Sequence, residues 1–192
     1  ASSPQFLNLI YNAPLKWIIA FAPLVMAFYM GSRLMSMSVT GAQTCLMIFA
    51  TLMGLSLSSI FIVYTGESIA KVFFITASTF GAMSIYGHST KRDLTNMRSF
   101  LIMGVIGILI ASVVNIFMQS GAMQFVISII GVGVFTLLTA YDAQKIKTMY
   151  YQTQNNAEVT QKLAIYGSLT LYMDFINIFV FLLQLFGVRK ND

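Results

Sequence analysis

The sequence predicts an all-α, polytopic transmembrane helix bundle, and three observations carry that prediction. Of 192 residues, 57% are hydrophobic and 9% charged, against about 25% charged in an ordinary soluble domain. The mean hydropathy is +0.79. The apolar residues come in runs close to the ~20 residues that a helix needs to cross a bilayer, separated by short polar clusters. So short a chain has too much surface for its volume to hide these side chains in one core. Lipid must cover many of them.

The charge pattern points the same way. The net charge of +5 lies in small basic clusters between apolar runs. That is how Lys and Arg mark the cytoplasmic loops of a membrane protein, so no nucleic-acid partner is expected. Cys45 is the only cysteine. This excludes a disulfide scaffold and leaves Cys45 as a small apolar residue inside a span.

Six spans follow along the chain, in one transmembrane domain over 1–192. The first covers Leu15 to Gly31, with Pro23 inside it as a kink site. The second covers Ala42 to Tyr64 and ends at the turn Thr65-Gly66-Glu67. The third covers Ile69 to Tyr86, before the polar loop Ser89-Thr90-Lys91-Arg92-Asp93. The fourth covers Phe100 to Met118, and Gln119-Ser120-Gly121 turns it into the fifth, Ala122 to Tyr141. The longest polar stretch, Asp142 to Lys162, comes next; Gln152-Thr153-Gln154-Asn155-Asn156 at its centre is the strongest loop signal in the chain. The sixth span ends near Gly187. If it enters the membrane near Leu169, it is about 27 Å long, and Glu158 to Ser168 extends it beyond the membrane.

Alternate sides of the membrane hold unequal basic charge. Arg33, Lys91, Arg92, Arg98, Lys145, Lys147 and Lys162 fall on one side; Lys16, Lys71, Arg189 and Lys190 fall on the other. The first side is therefore the cytoplasmic one, and both ends of this chain face outward. No cleavable signal peptide is visible, and the chain opens Ala1-Ser2-Ser3-Pro4 without Met. One further helix upstream would start the chain in the cytoplasm. Small residues recur every fourth position at Ala50, Gly54 and Ser58 and at Ala77 and Gly81, a spacing expected for close helix packing in lipid.

Charges inside spans are costly and are functional candidates. Asp174 lies well inside the sixth span, with Asn177 one turn on along the same face. Asp142 ends the fifth span, where it is also placed to pair with Lys145 at the interface. With a membrane boundary near Lys147, Asp142 is about 8 Å inside, a depth at which the two aspartates can meet. Other polar residues carry less. Glu67 and Lys71 are one turn apart and are expected to form a surface pair. His88 is the only histidine, too little for a metal site. Ser84, one turn before it, has no oxyanion hole to work with. Neither a zinc-protease motif nor a phosphate loop is present, so neither an enzyme nor a bound cofactor is expected.

Two segments carry a resemblance. Thr139-Ala140-Tyr141-Asp142-Ala143-Gln144-Lys145-Ile146-Lys147 and Leu171-Tyr172-Met173-Asp174-Phe175-Ile176-Asn177-Ile178-Phe179 are similar to the two C-terminal signatures of the Bax inhibitor family. Tyr86-Gly87-His88-Ser89-Thr90-Lys91-Arg92-Asp93-Leu94 resembles its bacterial members, and the likeness covers essentially the whole chain. The resemblance implies a seven-helix fold with a central C-terminal helix, of which this chain would lack the first. It also implies a multi-pass protein of the bacterial inner membrane and a pH-sensitive calcium leak. In that picture Asp142 and Asp174 share a proton, control a pore and contact passing Ca²⁺. A basic residue latches the pair, and Arg33 is the nearest match by position. Some animal members carry a further acidic residue one turn before the second aspartate; here that position is Thr170. Some bacterial relatives instead modulate a membrane-bound ATP-dependent protease or act in stress responses, and the aspartate motifs do not separate these roles.

Overall fold

A computed structural model describes residues 13–190 of the chain. The opening Ala1-Ser2-Ser3-Pro4, and the helix expected upstream of it, lie outside these residues. The described residues are almost wholly helical: α1 (Ala13–Arg33), α2 (Val39–Leu57), α3 (Ile60–Val63), α4 (Gly66–Ser89), α5 (Arg98–Met118), α6 (Gly121–Thr153) and α7 (Ala157–Phe186). Two 3₁₀ turns, Leu34–Ser36 and Thr95–Met97, join α1 to α2 and lead into α5. Among the described residues five segments are long and apolar enough to cross a membrane, α2 and α3 together forming one of them. At 21 residues, α1 is about 31 Å long and matches a bilayer core. The fold is a polytopic helical membrane bundle.

The caps follow from local sequence. Ser38, Thr65, Ser120 and Asn156 each accept a hydrogen bond from the backbone N–H three residues on, at α2, α4, α6 and α7. These side chains satisfy donors that have no partner inside a helix. Gln119 closes α5 in the left-handed region, at φ 50°. The side chain of Asn115 accepts from Ser120 N at 3.1 Å and steadies that turn.

The second span is not one helix. It stops at Leu57 and resumes at Ile60. The Ser58 and Ser59 hydroxyls donate back to the Leu55 and Ser56 carbonyls, offering those acceptors an alternative to the helix ladder. Nor is Asp142 to Lys162 a loop. Helix α6 runs on to Thr153, and α7 starts at Ala157. At 33 and 30 residues these helices are about 50 and 45 Å long, well beyond the ~30 Å core. Their common end projects as a helical hairpin, fastened where the Thr160 hydroxyl donates to the Thr153 carbonyl at 2.7 Å.

Helix α7 occupies the centre. It packs along α6 and also meets α4 and α2. One cluster joins Met30, Leu34, Ala42 and Phe49 of the first two spans to Ile165 and Leu169 of α7. Another sets Val72 of α4 against Ile178, Phe179, Leu182 and Leu183. A third, Ile108, Ile127 and Val134, joins α5 to α6. The outer face of α5 is apolar and exposed, Phe117 and Met103 among it, as a lipid-facing surface requires. At the far end of α7, Thr65 N donates to Val188 O at 3.0 Å and Lys190 N to Val63 O at 2.9 Å, tying the C-terminal tail to the start of α4.

Close approach occurs at other glycines than the sequence stripes suggest. Gly54 and Gly81 have open space where a side chain would stand, and Ala50 and Gly54 are exposed. At Gly87 a Cβ would overlap the Ala140 carbonyl, and at Gly131 it would lie 2.6 Å from the Phe181 ring. Backbone contact is therefore made where α4 meets α6 and α6 meets α7. The stripes point away from those seams because a four-residue spacing fixes a face, not which face is covered.

Candidate functional site

Two buried carboxylic acids meet between α6 and α7. Asp142 is 7% exposed and Asp174 4% exposed, and their carboxyl groups lie close enough to interact across the α6–α7 seam. The antiparallel hairpin makes the meeting possible. Gly167 faces Ile146 on the hairpin side of the pair, and Gly131 faces Phe181 on the other. The small residues bring the two helices close on both sides of the aspartates. Gly87 presses α4 onto α6 at Ala140, two residues before Asp142. Edge contacts of Phe175 with Phe73 at 5.6 Å and Phe80 at 5.5 Å pack the turn after Asp174 against α4. The pair thus lies among α4, α6 and α7, toward the end from which the hairpin projects.

Two ionised carboxylates at this separation repel strongly, so the favourable arrangement is one shared proton. Asp174 Oδ2 is buried without any hydrogen-bond partner. Ser84 Oγ on α4 and Thr136 Oγ1 on α6 are buried and unpartnered as well. Buried polar atoms are otherwise nearly always paired, and here one such orphan oxygen lies on each of the three helices around the pair. Among the described residues no cluster of three or more His, Cys, Asp or Glu forms a metal centre.

The cation that acts on Asp142 is Lys145, one turn along α6. Its Nζ donates to the Tyr166 hydroxyl at 3.2 Å and lies 5.2 Å from the centre of that ring. Lys145 is therefore held on α7 rather than left in solvent. Arg33 occupies a different place. It ends α1, is exposed, and among the described residues no hydrogen bond or ion pair joins it to either aspartate. Its neighbours explain this: Leu34 packs with Ile165 and Leu169, and Met35 O accepts from Lys162 Nζ at 3.3 Å, so α1 ends beside the projecting part of α7. Asn177 turns away too, its amide donating to Met173 O in its own helix at 2.8 Å. Thr170 likewise bonds back to Tyr166 O. The expected Glu67–Lys71 pair is not formed; among the described residues the one ion pair is Lys162–Glu158, at 2.8 Å.

Two polar residues of the first signature segment make contacts that the sequence does not reveal. Gln144 accepts from Leu94 N at 2.9 Å and donates to Arg92 O at 2.8 Å, clipping the α4–α5 loop to α6. Lys147 Nζ donates to His88 O at 2.6 Å, a cation at the carbonyl end of α4 where the helix dipole favours it. Cavities of about 660 and 720 Å³ flank the pair, reaching Ala143 on one side and Tyr141 on the other, but neither is lined by Asp142 or Asp174.

Comparison with known proteins agrees with this architecture. The sequence profile of the family described as inhibitor of apoptosis-promoting Bax1 matches residues 2–191. An uncharacterized protein of Rickettsia prowazekii is 48% identical over 184 residues, 96% of this chain and 78% of the relative. One from Caulobacter vibrioides is 43% identical over 178 residues, 93% and 71% of the two chains. The inner membrane protein YbhL of Escherichia coli K12 is 42% identical over 193 residues, 99% and 82%. With the profile spanning nearly all of its length, this chain belongs to the Bax inhibitor family of membrane proteins.

Proposed function

We propose that the protein is a pH-sensitive leak for calcium, or for a similar hard cation, across a bacterial inner membrane, gated by Asp142 and Asp174. The observation that carries this reading is the meeting of two buried carboxylic acids on α6 and α7 with one oxygen left unpartnered. A shared proton draws the two helices together and seals that end of the bundle. When the proton leaves, two like charges face each other in a poorly solvating environment. They push the seal apart and offer oxygen ligands to a divalent cation. Lys145 takes the role that position alone suggested for Arg33, a positive charge that tempers the repulsion. The chemistry is ion passage and needs no catalytic residue or cofactor. The inner-membrane placement rests on the likeness to YbhL.

The test is calcium flux into proteoliposomes between roughly pH 5 and 8, comparing the wild type with Asp142→Asn and Asp174→Asn. Asn keeps the size of Asp but cannot ionise. The wild-type flux should rise with pH, and both variants should fold and lose that dependence. If both keep the wild-type profile, the pair is structural and the leak reading fails. The regulatory alternative, action on a membrane-bound protease, would then be the better account.

A further inference from the structure

A second site lies beside the first and uses neither aspartate. The cavity of about 720 Å³ under the α4–α5 loop is lined by Lys91, Arg92, Lys145 and Lys147. Its one acidic residue, Asp93, is already engaged, its carboxylate accepting from Thr95 N at 2.9 Å. The cavity therefore carries an excess of positive charge. The neighbouring groove of about 660 Å³ runs between α4, α6 and α7, along Ile85, Ala143, Ile146, Leu163, Ala164 and Leu171. Lys147, Met149 and Tyr151 belong to the walls of both. Ser84, whose buried hydroxyl has no partner, is also in the groove wall.

We propose that these joined spaces hold one anionic phospholipid, its phosphate among Lys91, Arg92 and Lys147 and an acyl chain along the groove. Charge complementarity and continuity decide the occupant. A soluble anion would use the basic chamber but not the apolar groove. A neutral lipid would use the groove but leave Lys91, Arg92 and Lys147 without an anion. An anionic amphiphile needs both, joined at one cation, and Lys147 stands at that junction. The location also fits. The groove starts at Ile85, Ala143 and Leu171 in the membrane-crossing helices and continues to Leu163 and Ala164 at the base of the projecting hairpin, the end where the basic residues gather, and exposed Tyr150 and Tyr151 suit the headgroup level. Basic pockets between transmembrane helices on this side of a membrane suit anionic headgroups.

The experiment is native mass spectrometry of the delipidated full chain, titrated with phosphatidylglycerol or phosphatidylcholine. Lys91→Gln/Arg92→Gln removes two of the chamber's four cations, Ala164→Trp fills the groove, and Lys71→Gln removes a cation from the other end of α4. All of these positions are exposed, so the variants should fold. Phosphatidylglycerol should be retained about tenfold over phosphatidylcholine, and Lys91→Gln/Arg92→Gln should lose most of that preference. Ala164→Trp should remove the preference, Lys71→Gln should leave it, and soluble glycerol phosphate should not displace the lipid. Equal retention of the two lipids, or retention unchanged in both site variants, would overturn the proposal as ordinary annular lipid. Full displacement by glycerol phosphate would overturn it in favour of a soluble anion.

Discussion

Two polar clusters lie inside this apolar bundle, and they are built on opposite plans. At the end away from the hairpin Asn115, Gln124, Ser128 and Gln184 join α5, α6 and α7. Asn115 Nδ2 donates to Gln124 Oε1 at 3.1 Å, and Gln124 Nε2 donates to Gln184 Oε1 at 2.7 Å. Ser128 Oγ reaches the same Gln184 oxygen at 2.9 Å. None of these groups ionises near neutral pH, and none of their atoms is among the buried unpartnered ones. At the hairpin end the polar groups are two acids, and one oxygen is left over. A closed set of amides can hold helices together and has nothing further to exchange. A pair of acids short of one partner can gain or lose a proton, and its grip on the helices changes when it does.

That contrast can be broken most forcefully at the helix crossing beside the acids. Gly87→Ala places a methyl group on the Ala140 carbonyl, so α4 must move off α6. Overpacking of this kind costs about 1–3 kcal/mol, read as a lower melting temperature in detergent. Gly54→Ala, where the space is open, should be neutral or slightly stabilising through helix propensity. If the two alanine variants melt alike, the seam is not where the structure puts it.

The amide cluster gives the next effect. Gln124→Leu leaves Gln184 and Asn115 short of partners and should cost about 0.5–2 kcal/mol, the range of interhelical hydrogen bonds in membranes. Its calcium flux should keep the wild-type dependence on pH. A flattened profile in Gln124→Leu would mean that the two clusters are coupled and would end the contrast.

The smallest effect belongs to Asp93, in the exposed loop. Its carboxylate accepts hydrogen bonds from the Thr95 side chain and backbone, which hold it below the usual carboxylate range. A depressed value means that the contribution is present above the unfolded-state value and is lost as pH falls through the lower, folded one. Over neutral pH that contribution is constant, and an Asn oxygen can still accept from Thr95 N, so Asp93→Asn should lower the melting temperature only slightly and leave the pH profile of flux unchanged. A shifted flux profile in this variant would move the pH sensor from the buried pair to the loop.

How much of this the sequence shows depends on which force a residue answers to. The spans are legible because hydrocarbon demands long apolar runs, and Asp142 and Asp174 stand out because charge is rare inside them. The length of α6 is not legible. Gln144, Lys145 and Lys147 signal contact with water, which a helix leaving the membrane makes as readily as a loop. The break at Ser58 and Ser59 is hidden because the run around it stays apolar. Gln124 and Gln184 are 60 residues apart, and nothing in either segment announces the other. Order along the chain makes Arg33 the nearest match for the latch, whereas the packing of Leu34 on Ile165 and Leu169 decides where α1 ends.

The central claim is that one proton on the Asp142–Asp174 pair sets the leak, and two titrations of a single sample test it most directly. Calcium flux and the infrared carbonyl band of protonated carboxyl groups would be followed together in proteoliposomes over roughly pH 5 to 8, where coupled carboxyls in a buried pair can titrate. The account predicts that part of the band disappears over the same pH interval in which flux rises, and that this part is absent from Asp142→Asn and Asp174→Asn. A flux that rises with pH while the carboxyl band is unchanged, in wild type and variants alike, would contradict it.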